Sequence, residues 1–289
     1  MIARRDLLRA GVAFGALGVL GIAGGLPGLA LAADPVNVIT TDMPFAVGSR
    51  STRLFETKVE RSKPKGVVLF SAGYGSAPDS YARLQAVLAI EGFVVLATLS
   101  VDSPAYPDTA SFNRAQVFIE RIADMKALSA YAARRYPGLP VLAVGHSFGT
   151  LIALCQAGGL ARAADPTVKA VLGFSSPGKI PGLVNANSYE GVTVPTLIVT
   201  GTDDTVPQFA TDPADHLFPI ESSPAGGKYA LVIAGADHRL AHDQGVGFDR
   251  ALPLVKLFVE ADGLGDTGAA RRLAGWQAAA GDRFIVRER

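Results

Sequence analysis

The chain has 289 residues, 49% hydrophobic and 18% charged, which is enough apolar surface for a full core and too much for a disordered chain. Its 27 Lys and Arg nearly balance its 26 Asp and Glu, so no basic excess exists to neutralise phosphates, and a nucleic-acid partner is not expected. A single Cys excludes an internal disulfide, and with only four His it also excludes a Cys/His zinc module.

Residues 1–33 read as an export signal. Arg4 and Arg5 open the charged start RRDLLR, and the run from Ala10 to Leu31 is apolar. Ala30-Leu31-Ala32 has the small-x-small form of a cleavage site, and the glycines of the run together with Pro27 favour a cleaved signal over a membrane anchor. The arginine pair, followed by Leu7 and Leu8, resembles a twin-arginine signal, which exports folded proteins. Ile2 and Ala3 depart from that pattern, since Ser or Thr usually stands upstream of the pair. Cleavage would leave a near-neutral mature chain, periplasmic or secreted, with no membrane association. Residues 34–289 carry no internal repeat, charge block or low-complexity linker and read as one domain.

In chain order, residues 36–39 and 52–59 predict an antiparallel lead-in hairpin. Val67-Val68-Leu69-Phe70, after Pro64 and Gly66, reads as a buried strand. Leu84, Val87 and Leu88 space a helix over 80–90, and a second apolar strand covers 93–99. Val117, Phe118, Ile122, Met125 and Leu128 fall at three- and four-residue steps, predicting a long helix over 114–135 that stops before Pro137. A strand over 141–144, a helix over 150–160 and strands at 168–174, 196–200 and 229–234 follow. Helices at 248–260 and 267–279 close the chain. Strands that are apolar on both faces and alternate with helices imply an α/β fold, a mostly parallel central sheet with helices on both faces.

Gly145-His146-Ser147-Phe148-Gly149 is a G-x-S-x-G sequence set between a predicted strand and a predicted helix. The sharp turn that lifts such a serine above a sheet needs small neighbours, and Gly145 and Gly149 supply them. A serine hydroxyl becomes a nucleophile only beside a base that a third group orients. Two later loops at strand ends carry the residue types required: Gly201-Thr202-Asp203-Asp204-Thr205-Val206-Pro207 and Gly235-Ala236-Asp237-His238. Asp237 is adjacent to His238 and cannot easily reach its imidazole.

With these three motifs in this order, the chain resembles the α/β-hydrolase superfamily over nearly all of its mature length. The stretch from Phe258 to Gly263 also resembles the last helix of dienelactone-hydrolase-like and platelet-activating-factor-acetylhydrolase-like esterases. The resemblance implies Ser147 as nucleophile, His238 as base and Asp204 as acid, since the acid usually lies three residues past the glycine and is often followed by Thr. Asp203 is then a loop residue. The oxyanion would be held by the backbone N–H of Phe148 and by that of Tyr74, in Ser71-Ala72-Gly73-Tyr74-Gly75-Ser76. Relatives often have His-Gly or Pro-Gly where this chain has Ala-Gly, and the Tyr74 ring is expected to floor the acyl pocket.

Residues 175–195, with Pro177, Pro181 and three glycines, are too few for a large helical lid, so the site is expected to be open and suited to small acyl groups. The loop 100–107 is expected to line the cleft. The polyester-cleaving branch has a tryptophan at the end of this sixth strand, whereas Trp276 lies in the terminal helix. His146 is expected to pack beside the turn, and His216 to be solvated. His242, four residues after His238, has a spacing that could suit a metal, but no glutamate accompanies it and no metal is expected. The implied reaction is cofactor-free hydrolysis of a small-molecule carboxylic ester through an acyl-enzyme. Another acyl bond (lactone, amide or perhydrolysis) and a non-catalytic binding protein of the same fold remain alternatives.

Overall fold

Apolar runs and amphipathic stretches assemble into one nine-stranded sheet with helices on both faces, in a computed structural model that describes residues 36–287. The export signal read over 1–33, with its arginine pair and cleavage site, lies outside the described residues. The strands are β1 (Val38–Val47), β2 (Arg50–Val59), β3 (Gly66–Ser71), β4 (Phe93–Thr98), β5 (Val141–His146), β6 (Val168–Phe174), β7 (Thr196–Gly201), β8 (Lys228–Ile233) and β9 (Arg283–Arg287). The helices are α1 (Ala82–Ile90), α2 (Arg114–Arg135), α3 (Phe148–Leu154), α4 (Phe218–Ser222), α5 (Phe248–Phe258) and α6 (Thr267–Ala274). Across the sheet the order is β1-β2-β4-β3-β5-β6-β7-β8-β9. The strands β3 to β8 are parallel, while β2 and β9 run against their neighbours.

The two-sided burial follows from the strand sequences. On β3, Val68 and Phe70 enter a core shared with Leu84 and Leu88 of α1 and Leu254 and Phe258 of α5. Val67 and Leu69 point the other way, into a core shared with Val117 and Leu128 of α2 and Leu151 of α3. Each such side chain, removed fully from water, contributes about 1.5–3 kcal/mol, so no polar alternation survives in these strands. Helix α2 starts where the sequence caps it. The Asn113 side chain accepts from the Gln116 N–H while the Gln116 side chain accepts from the Asn113 N–H.

Three elements differ from the sequence reading. The lead-in hairpin is longer, because β1 is an edge strand whose exposed Thr40, Thr41 and Asp42 break the apolar signal; Gly48, at φ +60°, makes the turn. The helix expected over 150–160 begins at Phe148 and passes into a wider turn from Cys155 to Gly159. The terminal helix expected over 267–279 stops at Ala274, and the chain returns as β9 along β8. Phe284 of β9 stacks on Tyr229 and meets Trp276 edge-on, at ring separations of 6.1 and 4.9 Å. These contacts support a strand of only five residues, too short to stand out in the sequence.

Because β3 to β8 are parallel, their C-terminal ends open onto one edge, where the motif loops gather. Between β6 and β7 the chain forms turns without a helix or strand. There Val184, Tyr189 and Val192 are buried against the α3 side of the sheet, so this segment folds down onto the core. Among the described residues, no helix is long and apolar enough to cross a membrane.

Candidate active site

Ser147 occupies the junction of β5 and α3 with φ 51° and ψ −121°, a conformation L-residues rarely adopt. The glycines make it possible. A Cβ built on Gly145 would lie 2.2 Å from the Gly149 backbone, and one on Gly149 would lie 1.9 Å from the Ser71 carbonyl oxygen. The turn therefore closes on itself and also presses the start of α3 against the loop after β3. Buried Thr150 adds its hydroxyl, 2.9 Å from the carbonyls of both Gly145 and Phe174.

The two later loops deliver their side chains to this turn. His238 Nε2 lies 2.9 Å from Ser147 Oγ, and His238 Nδ1 lies 2.8 Å from Asp204 Oδ1. Asp204 is fully buried and its Oδ2 accepts from Thr200 Oγ1 at 2.7 Å, whereas the His238 side chain keeps 25% exposure. Burial alone would push the Asp204 carboxyl up. Hydrogen bonds from His216, His238 and Thr200 outweigh it and hold the group well below the usual carboxylate range. Asp203 is exposed and accepts from its neighbour Thr202, and Asp237 caps the Arg239 N–H; neither contacts His238 through its carboxylate.

His216 is a correction. The sequence reading has it solvated, yet it is fully buried, with Nε2 3.0 Å from Asp204 Oδ1 and its ring stacked near His238. The turn from Pro213 to Leu217 folds inward because Leu217 and Ile220 need the apolar cover of β7 and β8, and His216 is carried in with them. Asp204, His216 and His238 are the one grouping with metal-like spacing among the described residues. Both imidazoles bond the same Asp204 oxygen, a contact that a bound ion would have to open.

His146 packs beside the turn, as its position suggests. Its Nε2 donates to the His238 carbonyl at 2.7 Å, and its Nδ1 accepts from the Tyr81 hydroxyl at 2.8 Å, which in turn accepts from the Gly73 N–H at 3.0 Å. This chain of bonds ties the loop after β3 to the loop after β8. Burial first, then the neighbouring His238, pushes His146 down to about 3, so it is neutral. His242 packs its ring on Tyr81 and His146, apart from the atoms around Asp204.

The loop after β3 is held from behind by a buried ion pair absent from the sequence reading. Arg121 of α2, 1% exposed, donates to both Asp102 carboxylate oxygens at 2.8 and 2.7 Å. The same guanidinium donates to the carbonyls of Ala72 and Gly73 at 2.7 and 3.0 Å, and Asp102 accepts from the Gly75 N–H at 2.8 Å. The Gly73–Tyr74 peptide is trans, so with its carbonyl turned to Arg121 its N–H points the opposite way. Among the described residues no acceptor takes the N–H of Tyr74 or of Phe148. Tyr74 is 51% exposed, and its ring meets Phe148 edge-on at 5.9 Å. The sequence signal for this pair was a charged residue at a buried step of α2, four residues after Val117 and four before Met125.

No family profile and no curated protein matches this chain. Among solved structures it resembles a cold-adapted esterase from an Arctic intertidal metagenomic library, in a PEG-bound complex, at 15% identity and a TM-score of 0.59. The likeness covers 78% of this chain and 94% of that one. At that identity the likeness is one of architecture, and together with the strand order it establishes that this chain has the α/β-hydrolase fold.

Proposed function

We propose that the chain is a serine hydrolase that cleaves small carboxylic esters through an acyl-enzyme intermediate. The observation that carries this reading is the unbroken run Ser147 Oγ, His238 Nε2, His238 Nδ1, Asp204 Oδ1, with both contacts under 3 Å. His238 takes the Ser147 proton as Oγ attacks the ester carbonyl, and Asp204 fixes the imidazole tautomer and stabilises the imidazolium. The carbonyl oxygen becomes an oxyanion, received by the N–H groups of Phe148 and Tyr74. The alcohol leaves with the proton from His238. Water, deprotonated by His238, then attacks the acyl-enzyme and releases the acid. The fold neighbour's description as an esterase agrees with this reading.

The resemblance of residues 258–263 supports a dienelactone-hydrolase-like or platelet-activating-factor-acetylhydrolase-like esterase as the finer reading, and the signal read over residues 1–33 supports a mature protein in the periplasm or outside the cell. Among the described residues the segment between β6 and β7 forms no helical lid, which supports short acyl groups as the substrates. A panel of p-nitrophenyl esters of rising acyl length tests the reading. Activity should be highest with short chains and lost in Ser147→Ala with the fold intact. Parent-level turnover in that variant would reject Ser147 as nucleophile.

A further inference from the structure

The hydrogen bonds around His216 leave it no acceptor to be. Its Nδ1 faces the Ser176 carbonyl, and its Nε2 faces the Asp204 carbonyl at 2.9 Å and Asp204 Oδ1 at 3.0 Å. All three partners only accept, so a neutral imidazole would set a bare nitrogen against an oxygen in a fully buried site. A ring protonated on both nitrogens satisfies every contact. The countercharge is the Asp204 carboxylate. Burial opposes a charge on His216, and its bonds to Asp204 outweigh that and push its pKa up.

Among the described residues, Asp204 is the one charged side chain in contact with the His216 ring. The loop after β6 brings Ser175 and Ser176, and the loop after β7 brings exposed Asp203 and buried Asp204. The loop after β8 brings His238, whose ring centre is 5.9 Å away and nearly parallel. Its own turn holds Asp212, which caps the Ala214 N–H, and Asp215, which is not hydrogen-bonded to it. Only Asp204 and His238 face the ring.

We propose that His216 is a standing imidazolium behind the triad, a positioning residue that shares Asp204 Oδ1 with His238 and sets the pH dependence of serine activation. The inference rests on the triad reading above. Because two imidazoles share one carboxylate, the titration seen in activity belongs to the cluster of three and not to one residue. A positive charge beside the base disfavours a second one on it, so removing the first should move the acid limb of serine reactivity to higher pH.

Two measurements test this. The first is nitrogen NMR of the histidine-labelled wild-type protein at about pH 8, where one of the four histidines should carry protons on both ring nitrogens. The second is the rate of Ser147 inactivation by a fluorophosphonate against pH, in the wild type, His216→Asn and His216→Gln. The acid limb should rise by about one pH unit or more in both variants, with a smaller loss of maximal rate than in Asp204→Asn. Four neutral imidazoles, or an unmoved limb in a folded variant, would overturn the proposal. If the variants do not fold, the wild-type spectrum decides. If Ser147 is never labelled, the hydrolase reading fails on its own, and the spectrum still reports the charge of His216.

Discussion

Replacing Arg121 with Met probes how the loop after β3 is aimed. The substitution keeps most of the side-chain volume and removes the donors to Asp102, Ser71, Ala72 and Gly73. Asp102 is left as an unpaired buried carboxylate. Breaking a buried ion pair from one side costs about 3–5 kcal/mol, which for a domain of this size is a fall in Tm of about 6–20 °C. The catalytic consequence is separate. Without Arg121 the Gly73 carbonyl loses its anchor, and the Tyr74 N–H on the same peptide loses its direction. Loss of one oxyanion donor lowers kcat by about 10²–10³. The assay is kcat on p-nitrophenyl acetate, measured well below the variant's Tm, alongside a thermal melt. The double variant Arg121→Met with Asp102→Leu removes the orphaned charge and should recover part of the stability but little of kcat. A destabilised Arg121→Met protein with kcat within about threefold of the parent would mean that Arg121 does not aim the loop and would leave the ion pair a purely structural element.

Three other outcomes follow from particular residues. Asp204→Asn should lower kcat by about 10⁴, whereas Asp203→Asn should cost about tenfold or less; the reverse ranking in ester assays would move the acid by one residue. Asp124, buried beside Arg50, is pushed by burial up to about 6, so its ionised form is disfavoured in the folded state. A carboxyl raised in the folded state loses stability as pH climbs from its unfolded value to its folded one, and the loss is complete above the folded value. Asp124→Asn should therefore gain stability relative to the parent as pH rises from about 4 towards 8; a stability difference that stays flat in denaturant melts across that range would mean the Arg50 pair offsets burial. Changing Arg4 and Arg5 to Lys should block export if the signal is of twin-arginine type, and unchanged delivery on cell fractionation would point to an ordinary secretory signal.

Much of the site was legible because its chemistry is local. The elbow needs glycine at two fixed offsets, and the carboxylate and imidazole that meet its serine sit in short loops directly after apolar strands, so Ser147, Asp204 and His238 could be named from spacing and resemblance as a candidate site. What stayed hidden depends on packing between distant segments. Nothing around His216 marks it as buried; it is drawn in by Leu217 and Ile220 beneath β7 and β8. Arg121 reads as one more charge on an amphipathic helix until Asp102, 19 residues earlier, is placed against it. The terminal strand β9 has five residues and is held by Tyr229 and Trp276, a support no local pattern records.

The central claim is that Ser147 is an activated nucleophile, and covalent labelling tests it most directly. The protein should be treated with a fluorophosphonate at neutral pH, digested, and the modified residue located by mass spectrometry. One adduct per chain is expected, on Ser147, lost in Ser147→Ala and strongly slowed in Asp204→Asn. No adduct on the folded wild-type protein, or an adduct on another serine, would contradict it.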